Sequence, residues 1–391
     1  MSSLIILQSG GPTAVINATL YGIISEAQRT KKFSRIFGAV AGFEGLSAGN
    51  WVDVTGIAEQ NIEIFKSTPG MALGSSRSQV DEKALHHVVD RLVQHSVDCV
   101  LVIGGNGSML TPLGLYRIAG ARGYALRVLG VPKTVDNDLI RTDHSPGYGS
   151  AARVIARAVQ DSVWDLKTLP AESVRIMEIM GRNTGWLAAA AWLAGDPGES
   201  GPDYVLTPEV TFHHELFLQR IGADLKRNRR IFITAAEGLR TDAGTFLAEE
   251  SGFVMKDKIG RVNPGFTSGV GHVLAKLIYD RFGCRVRYDK PGTLQRSGLD
   301  VSLTDRAEAE LIGRNAVTAL LEGESGKMIG FIRRPGPYRT ETGLFPLEEV
   351  AGKERTIPAE FYVADRLNPA MVRDYVGPLI GEPLQQYKML I

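Results

Sequence analysis

Cysteine is nearly missing from these 391 residues: only Cys99 and Cys284 occur, with no CxxC pair and no Cys/His spacing suited to zinc. That excludes a disulfide-stapled secreted scaffold and a zinc-ribbon module. An excess of one charge is missing too, since 44 Lys and Arg face 43 Asp and Glu. No global field therefore exists to hold nucleic acid or an anionic membrane, and neither is an expected partner. No apolar run reaches the roughly 20 residues that cross a bilayer. The first residues, Met1-Ser2-Ser3-Leu4-Ile5-Ile6-Leu7, lack the basic start of a signal peptide and read as a strand, so the expected location is the cytoplasm. Two phosphate-binding signatures are also absent: GxxxxGK[ST], and a GxGxxG opening a helix after the first strand.

What the chain has in plenty is glycine, 44 residues gathered in short clusters. Such clusters suit tight turns where backbone approaches a ligand. The length predicts two domains. Short apolar runs end in Gly/Pro/Asn punctuation and alternate with helical patterns. The predicted strands include Leu4–Leu7, Val97–Ile103, Leu126–Val131, Val174–Ile179, Tyr204–Leu206, Arg230–Ala235 and Val286–Tyr288. The helices between them include Ala14–Thr30, Met109–Gly120, Ala151–Thr168, an alanine-rich Gly185–Gly195, His214–Arg227, Thr267–Phe282 and Arg306–Glu322. This grammar belongs to parallel sheets covered on both faces, whose ligands sit beyond the carboxyl ends of the strands. After about Gly343 the pattern weakens.

Four glycine-rich strand ends could cradle anions through backbone N–H groups: Gly10-Gly11, Gly74-Ser75-Ser76-Arg77, Gly104–Ser108 and Met180-Gly181-Arg182. A sharper signal is Pro132-Lys133-Thr134-Val135-Asp136-Asn137-Asp138. Two carboxylates at i and i+2 after a buried strand can divide two jobs, proton acceptance from a hydroxyl and retention of Mg²⁺ against donor phosphates. An Asx-rich turn before a helix would look the same. The pairs His86-His87 and His213-His214 point their rings apart and read as surface or packing, and Arg227–Arg230 reads as a solvated turn.

Ser9-Gly10-Gly11, Thr68-Pro69-Gly70, Leu73–Arg77, Ile103-Gly104-Gly105, Pro132–Asp138, Met180-Gly181-Arg182 and Gln295-Arg296 occur in one order. Together, over about residues 4–335, they resemble the bacterial-type phosphofructokinases. The resemblance implies two Rossmann-like three-layer α/β domains with the active site in the cleft between them. Residues 1–147 plus about 296–345 would bind the donor and 148–295 the sugar phosphate, with 346–391 an extension packed on the core. It implies an enzyme, a 6-phosphofructokinase moving a phosphoryl group onto the 1-hydroxyl of fructose 6-phosphate, and a homodimer or homotetramer. Asp136 would be the general base, with Thr134, Lys133 and Arg182 around the transferred group. Gly11, Arg77, Gly105, Asn106, Gly107 and Ser108 would bind the donor, and Asn106 and Asp138 would hold Mg²⁺. Met180, Gly181 and Glu237 would line the sugar, with Arg287 and Arg296 on its distal phosphate.

The donor signals conflict. Gly107 stands where glycine leaves room for the α-phosphate of ATP and aspartate suits pyrophosphate. Lys133, in contrast, is what pyrophosphate enzymes carry before Thr-x-Asp-Asn-Asp. The steric argument puts ATP first and pyrophosphate second. Asn106 replaces a metal-linked aspartate, which leaves more of the Mg²⁺ binding to Asp138. Ser173 and Thr293 stand where relatives place an arginine and a histidine on the sugar phosphate. The acceptor is thus fructose 6-phosphate, supported by Lys290, Arg287 and Arg296, or another sugar or polyol. A non-catalytic regulator on the same fold remains a third reading.

Overall fold

A computed structural model describes residues 2–76, 80–169, 171–197, 199–227, 229–253, 268–296 and 298–387. The chain forms two compact units, residues 1–150 with 296–355 and residues 151–295 with 356–391.

The first unit begins with β1 (Ser2–Gln8), α1 (Ile16–Thr30), β2 (Phe33–Ala39), α2 (Gly42–Ala48), β3 (Trp51–Asp53), α3 (Glu59–Lys66) and α4 (Glu82–Gln94). It continues through β4 (Cys99–Gly104), α5 (Leu110–Ala121) and β5 (Arg127–Pro132). The second unit then contributes α6 (Tyr148–Lys167, whose first turn still belongs to the first unit), β6 (Ser173–Ile179), α7 (Trp186–Ala189) and β7 (Tyr204–Leu206). It goes on with α8 (His214–Leu225), β8 (Ile231–Ala236), α9 (Val270–Phe282) and β9 (Arg285–Asp289). The chain returns to the first unit as α10 (Leu303–Leu321), β10 (Lys327–Arg333), β11 (Thr340–Pro346) and α11 (Leu347–Val350). It ends in the second with β12 (Tyr362–Val363), β13 (Arg366–Leu367) and α12 (Pro369–Val376).

In the first unit seven strands run in the order β11-β10-β5-β4-β1-β2-β3. The five inner ones pair in parallel, and the two edges are antiparallel. Alternation along each strand divides its apolar residues between two helical layers. Leu4, Ile6, Leu101 and Ile103 pack with Ile16, Leu20 and Ile312 of α1 and α10. Ile5, Leu7, Val100 and Val102 pack with Phe43, Val88, Val89 and Leu115 of α2, α4 and α5. Small residues on one face of α10 let it approach α1 backbone to backbone. A Cβ on Gly22 would strike the Glu310 carbonyl, and one on Gly313 would strike that of Thr19. The second unit has four parallel strands in the order β7-β8-β6-β9. The α/β class read from the sequence is the class observed.

Three expectations need correction. The segment 346–391 is not one extension, because 346–355 belong to the first unit and 356–391 to the second, and the first crossover falls after Ser150. The physical reason is packing. Leu347 and Val350 join Met109, Leu139 and Met328 in one apolar cluster, whereas Arg373 of α12 donates to the carbonyls of Trp192 and Gly195. The tail is also more regular than its pattern, holding most of β11 and the whole of α11 and α12. The alanine-rich Gly185–Gly195 is a short α7 followed by a 3-10 turn at Ala190–Ala194. The predicted helix start at Thr267 lies outside the described residues.

One buried cluster fixes the loop after β5. His144, wholly buried, hydrogen-bonds Asp143 and Glu308, each at 2.9 Å, and stacks on Phe331. Burial opposes charging the ring, but the two carboxylates outweigh it and hold its pKa up to about 9. A raised pKa stabilises the fold fully below the ordinary value near 6.5, and that stability is lost as pH rises through about 9. The gap in melting temperature between the wild type and His144→Gln should therefore be widest near about pH 6 and close by about pH 10. Thermal unfolding across that range checks it, and a constant gap would refute the charged ring.

Candidate active site

Strands β1, β4 and β5 are neighbours, so their carboxyl ends bring three turns together. After β1, Gly10 takes φ +83°, a region closed to most side chains. After β4, Ser108 Oγ donates to Ser9 Oγ at 2.9 Å, joining the second turn to the first. After β5, Lys133 N donates to the Gly104 carbonyl and its ammonium to the Gly11 carbonyl at 2.8 Å. The ammonium packs so tightly on the first turn that a Cβ on Gly10 would lie 3.2 Å from it. Gly105 backs onto the Lys133 carbonyl and the Thr134 side chain. A side chain at Gly107, by contrast, would meet open space.

Lys133 is 3 % exposed. Burial lowers its pKa to about 8, although Asp136 and Asp138 pull the other way, and the Arg296 guanidinium adds to the lowering. Asp138 moves in the opposite direction, up to about 7, chiefly through burial and then through the neighbouring charge of Asp136. Thr134 serves both carboxylate positions: its Oγ accepts the Asp136 amide at 3.1 Å, and its hydroxyl hydrogen-bonds the Asp138 side chain.

Mg²⁺ needs hard oxygen donors and takes only one or two carboxylates where substrate phosphates complete its shell. Among the described residues no group of three or more His, Cys, Asp or Glu could hold a metal alone. Asp138 Oδ1 and Asn106 Oδ1 are nevertheless buried without a hydrogen-bond partner, an arrangement that costs free energy unless something meets them. One carboxylate oxygen and one amide oxygen are donor types suited to a cation that shares a phosphate donor.

Arg296, expected on the sugar's distal phosphate beside Arg287, lies in the first unit, and a Cβ on Gly11 would sit 2.7 Å from its Nη1. Arg77 lies outside the described residues.

The second unit carries the other set. Gly181 takes φ +133°, and a Cβ there would strike the Thr184 carbonyl. Met180 N donates to Gln295 Oε1 at 2.9 Å, and Gly238 N to the Gly181 carbonyl. The Arg182 guanidinium lies 5.7 Å from the centre of the Phe246 ring. Glu237 is pushed up to about 7, first by burial and then by Glu178, against the pull of Lys290 and Arg182. Sequence reasoning passed over Glu178, whose signal is a carboxylate inside the otherwise apolar end of β6. It pairs with Lys290 at 2.8 Å and accepts the Gly271 amide at 2.9 Å. Arg287 is exposed on β9, while Thr293 is exposed and uncharged and Ser173 is buried at the start of β6. Arg175 is spoken for, paired with Asp165 at 2.5 Å.

The phosphofructokinase family model matches residues 3–320. The chain belongs to the phosphofructokinase family. A pyrophosphate–fructose 6-phosphate 1-phosphotransferase of Rhodospirillum rubrum is 35% identical over 386 residues, covering 96% of this chain and 94% of that protein. A sulfofructose kinase of Alkalicoccus urumqiensis is 32% identical, covering 92% of this chain and 91% of that protein. The solved structure of a pyrophosphate-dependent phosphofructokinase from Nitrosospira multiformis superposes with a TM-score of 0.87 at 30% identity, covering 100% of this chain and 95% of that one. The protein is thus a phosphotransferase of this family. Among its described residues no helix is long and apolar enough to cross a membrane.

Gly11 tests the donor turn. A Gly11→Ala methyl meets the flexible end of Arg296 rather than backbone, so the fold should survive with an unchanged melting temperature. If this turn receives the donor, as the resemblance implies, displacing the guanidinium should raise the KM for the phosphoryl donor by about tenfold or more. Steady-state kinetics beside a melting curve check both parts.

Proposed function

We propose that the protein transfers a phosphoryl group from pyrophosphate to the 1-hydroxyl of fructose 6-phosphate, with Mg²⁺. The observation that carries this reading is the buried Lys133 ammonium set against the Gly10–Gly11 turn, directly before a loop bearing two carboxylates. The first unit would hold the donor, and Met180, Gly181, Glu237 and Arg287 of the second would hold the sugar.

Asp136 accepts the proton of the 1-hydroxyl as that oxygen bonds to the terminal phosphorus. The bridging P–O bond breaks, and inorganic phosphate leaves with the bond's electrons. Little covalent chemistry falls to the protein, so alignment and placed positive charge supply the rate. Lys133 and Arg296 offer that charge beside the donor turn, Thr134 orients the loop, and Arg182 neutralises the moving group. Asp138 and Asn106 would hold Mg²⁺, which when bound offsets charge on the donor phosphates.

Gly107 had placed ATP ahead of pyrophosphate. The names of the relatives and the solved structure reported above favour the reverse order. The position of Lys133 gives a physical reason: a desolvated cation against the donor turn suits a compact, highly charged donor. Purified protein with fructose 6-phosphate and Mg²⁺ should turn over with pyrophosphate, and turnover with ATP alone would overturn the donor assignment. Asp136→Asn should lower kcat by about 10²-fold or more. If the Lys133 charge binds donor, kcat/KM for pyrophosphate should fall as pH rises through about 8, where the ammonium loses its proton. Lys133→Arg should move that limb to higher pH, and an unmoved limb would assign it elsewhere.

A second reading concerns the acceptor. Lys290 is engaged by Glu178, and positions 173 and 293 carry no charge, so among the described residues few of the expected cations remain for a dianionic sugar phosphate. A sugar with a less charged distal group would suit that set, in keeping with the relative named for sulfofructose. Comparing kcat/KM for fructose 6-phosphate and sulfofructose decides between them.

A further inference from the structure

We propose that Arg355 is a positioning residue for phosphoryl transfer, its guanidinium locking the backbone of the loop that carries Asp136 and Asp138. The proposal rests on the roles given to those two carboxylates above. Arg355 lies beyond residues 3–320, the stretch matched by the family model, in the chain that follows α11.

Its bonds converge on one short piece of backbone. Nε and Nη2 donate to the Asn137 carbonyl at 3.2 and 3.0 Å. Nη1 donates to the carbonyls of Thr142, at 3.0 Å, and Asp143, at 2.6 Å. The Arg355 amide donates to the Asp138 carbonyl at 2.7 Å, and Glu354 pairs with Leu139 as a β-bridge. Residues 137, 138, 139, 142 and 143 are thus all held by two consecutive residues.

The loop needs such a hold. Asn137 and Arg141 take φ of +55° and +66°, left-handed values that side chains adopt only where their surroundings impose them. The opposite side is tied by other means: Asp143 N donates to the Phe331 carbonyl, Ser145 N to Asn137 Oδ1, and Thr134 N to the Pro146 carbonyl. Arg355 binds backbone carbonyls of the loop that those bonds do not use. Its planar fork serves three carbonyls at once, which a lysine ammonium cannot reproduce from one point. Without it those part-buried oxygens lose donors, and the carboxylates shift with the backbone that bears them. A displacement of about 1 Å is enough to cost about 10²-fold in rate.

The test compares Arg355→Lys and Arg355→Ala with the wild type in kcat, both KM values, melting temperature and amide exchange across residues 134–147. The expected result is a fall in kcat of about tenfold or more for Arg355→Ala, with both KM values within about threefold. Guanidinium at millimolar concentration should restore part of the lost kcat. Exchange should rise at Thr134, Asp143 and Ser145 and stay unchanged in β1 and β4. Arg355→Lys should keep the fold and still lose several-fold in kcat. An unchanged kcat in both variants would overturn the proposal. So would failure of both to fold, which would give Arg355 a structural role only. If the wild type turns over no donor, the proposed function fails separately, and loop exchange alone then decides: raised exchange supports the clamp and unchanged exchange overturns it.

Discussion

The carboxylate of Asp305 joins parts of the first unit that an entire inserted unit separates in sequence. It accepts Gly147 N at 2.9 Å, Ser150 N at 2.9 Å and Ser150 Oγ at 2.6 Å, across 155 or more residues of chain. Asp305 is fully buried in the first turn of α10, and burial raises its pKa against the three bonds that lower it. A buried carboxylate is tolerable only when its oxygens are satisfied this completely. The returning chain therefore has one place to dock, and docking closes the far end of the loop that begins at Lys133. The far end of this loop is therefore held by a residue of the returning helix.

Around that loop, charge is arranged by burial more than by pairing. Lys133 is pushed down and Asp138 up, and desolvation is the leading cause in both. Each group is thereby poised nearer neutrality than it would be in water, with Asp136 close to both. Under the proposed function such a site would gain from a polyanion and a divalent cation, because their charges would restore what burial removed. His144 shows the opposite solution a few residues away, where two carboxylates overcome burial and keep a ring charged for structural ends. The same low-dielectric interior therefore serves chemistry at one end of the loop and rigidity at the other.

Much of the fold was legible because strand and helix periods are local. The alternation in Leu4–Leu7 and Leu101–Ile103 maps onto the two faces of one sheet, and the clusters at Gly10, Gly104 and Gly181 sit at strand ends as the parallel grammar requires, whereas the one at Gly74, expected to end a strand, lies between α3 and α4. That Lys133, Thr134, Asp136 and Asp138 share one loop was legible for the same reason, as part of seven adjacent residues with a recognisable order. The tail was not, since its helices are short and owe their order to the surfaces they cover. The contact of the Arg296 guanidinium with Gly11 was not legible either, because the two residues are far apart in sequence and only the fold brings them together.

The sequence by itself determined the α/β class, the family, and the adjacent residues of the loop after β5 on which the proposed chemistry is built. These depend on residue type and short spacing. Tertiary structure alone decided that the Lys133 ammonium lies against the donor turn and that Asp305, His144 and Arg355 hold the active loop. Those bonds join residues more than a hundred positions apart, and no local pattern marks a carbonyl's partner before the chain is folded.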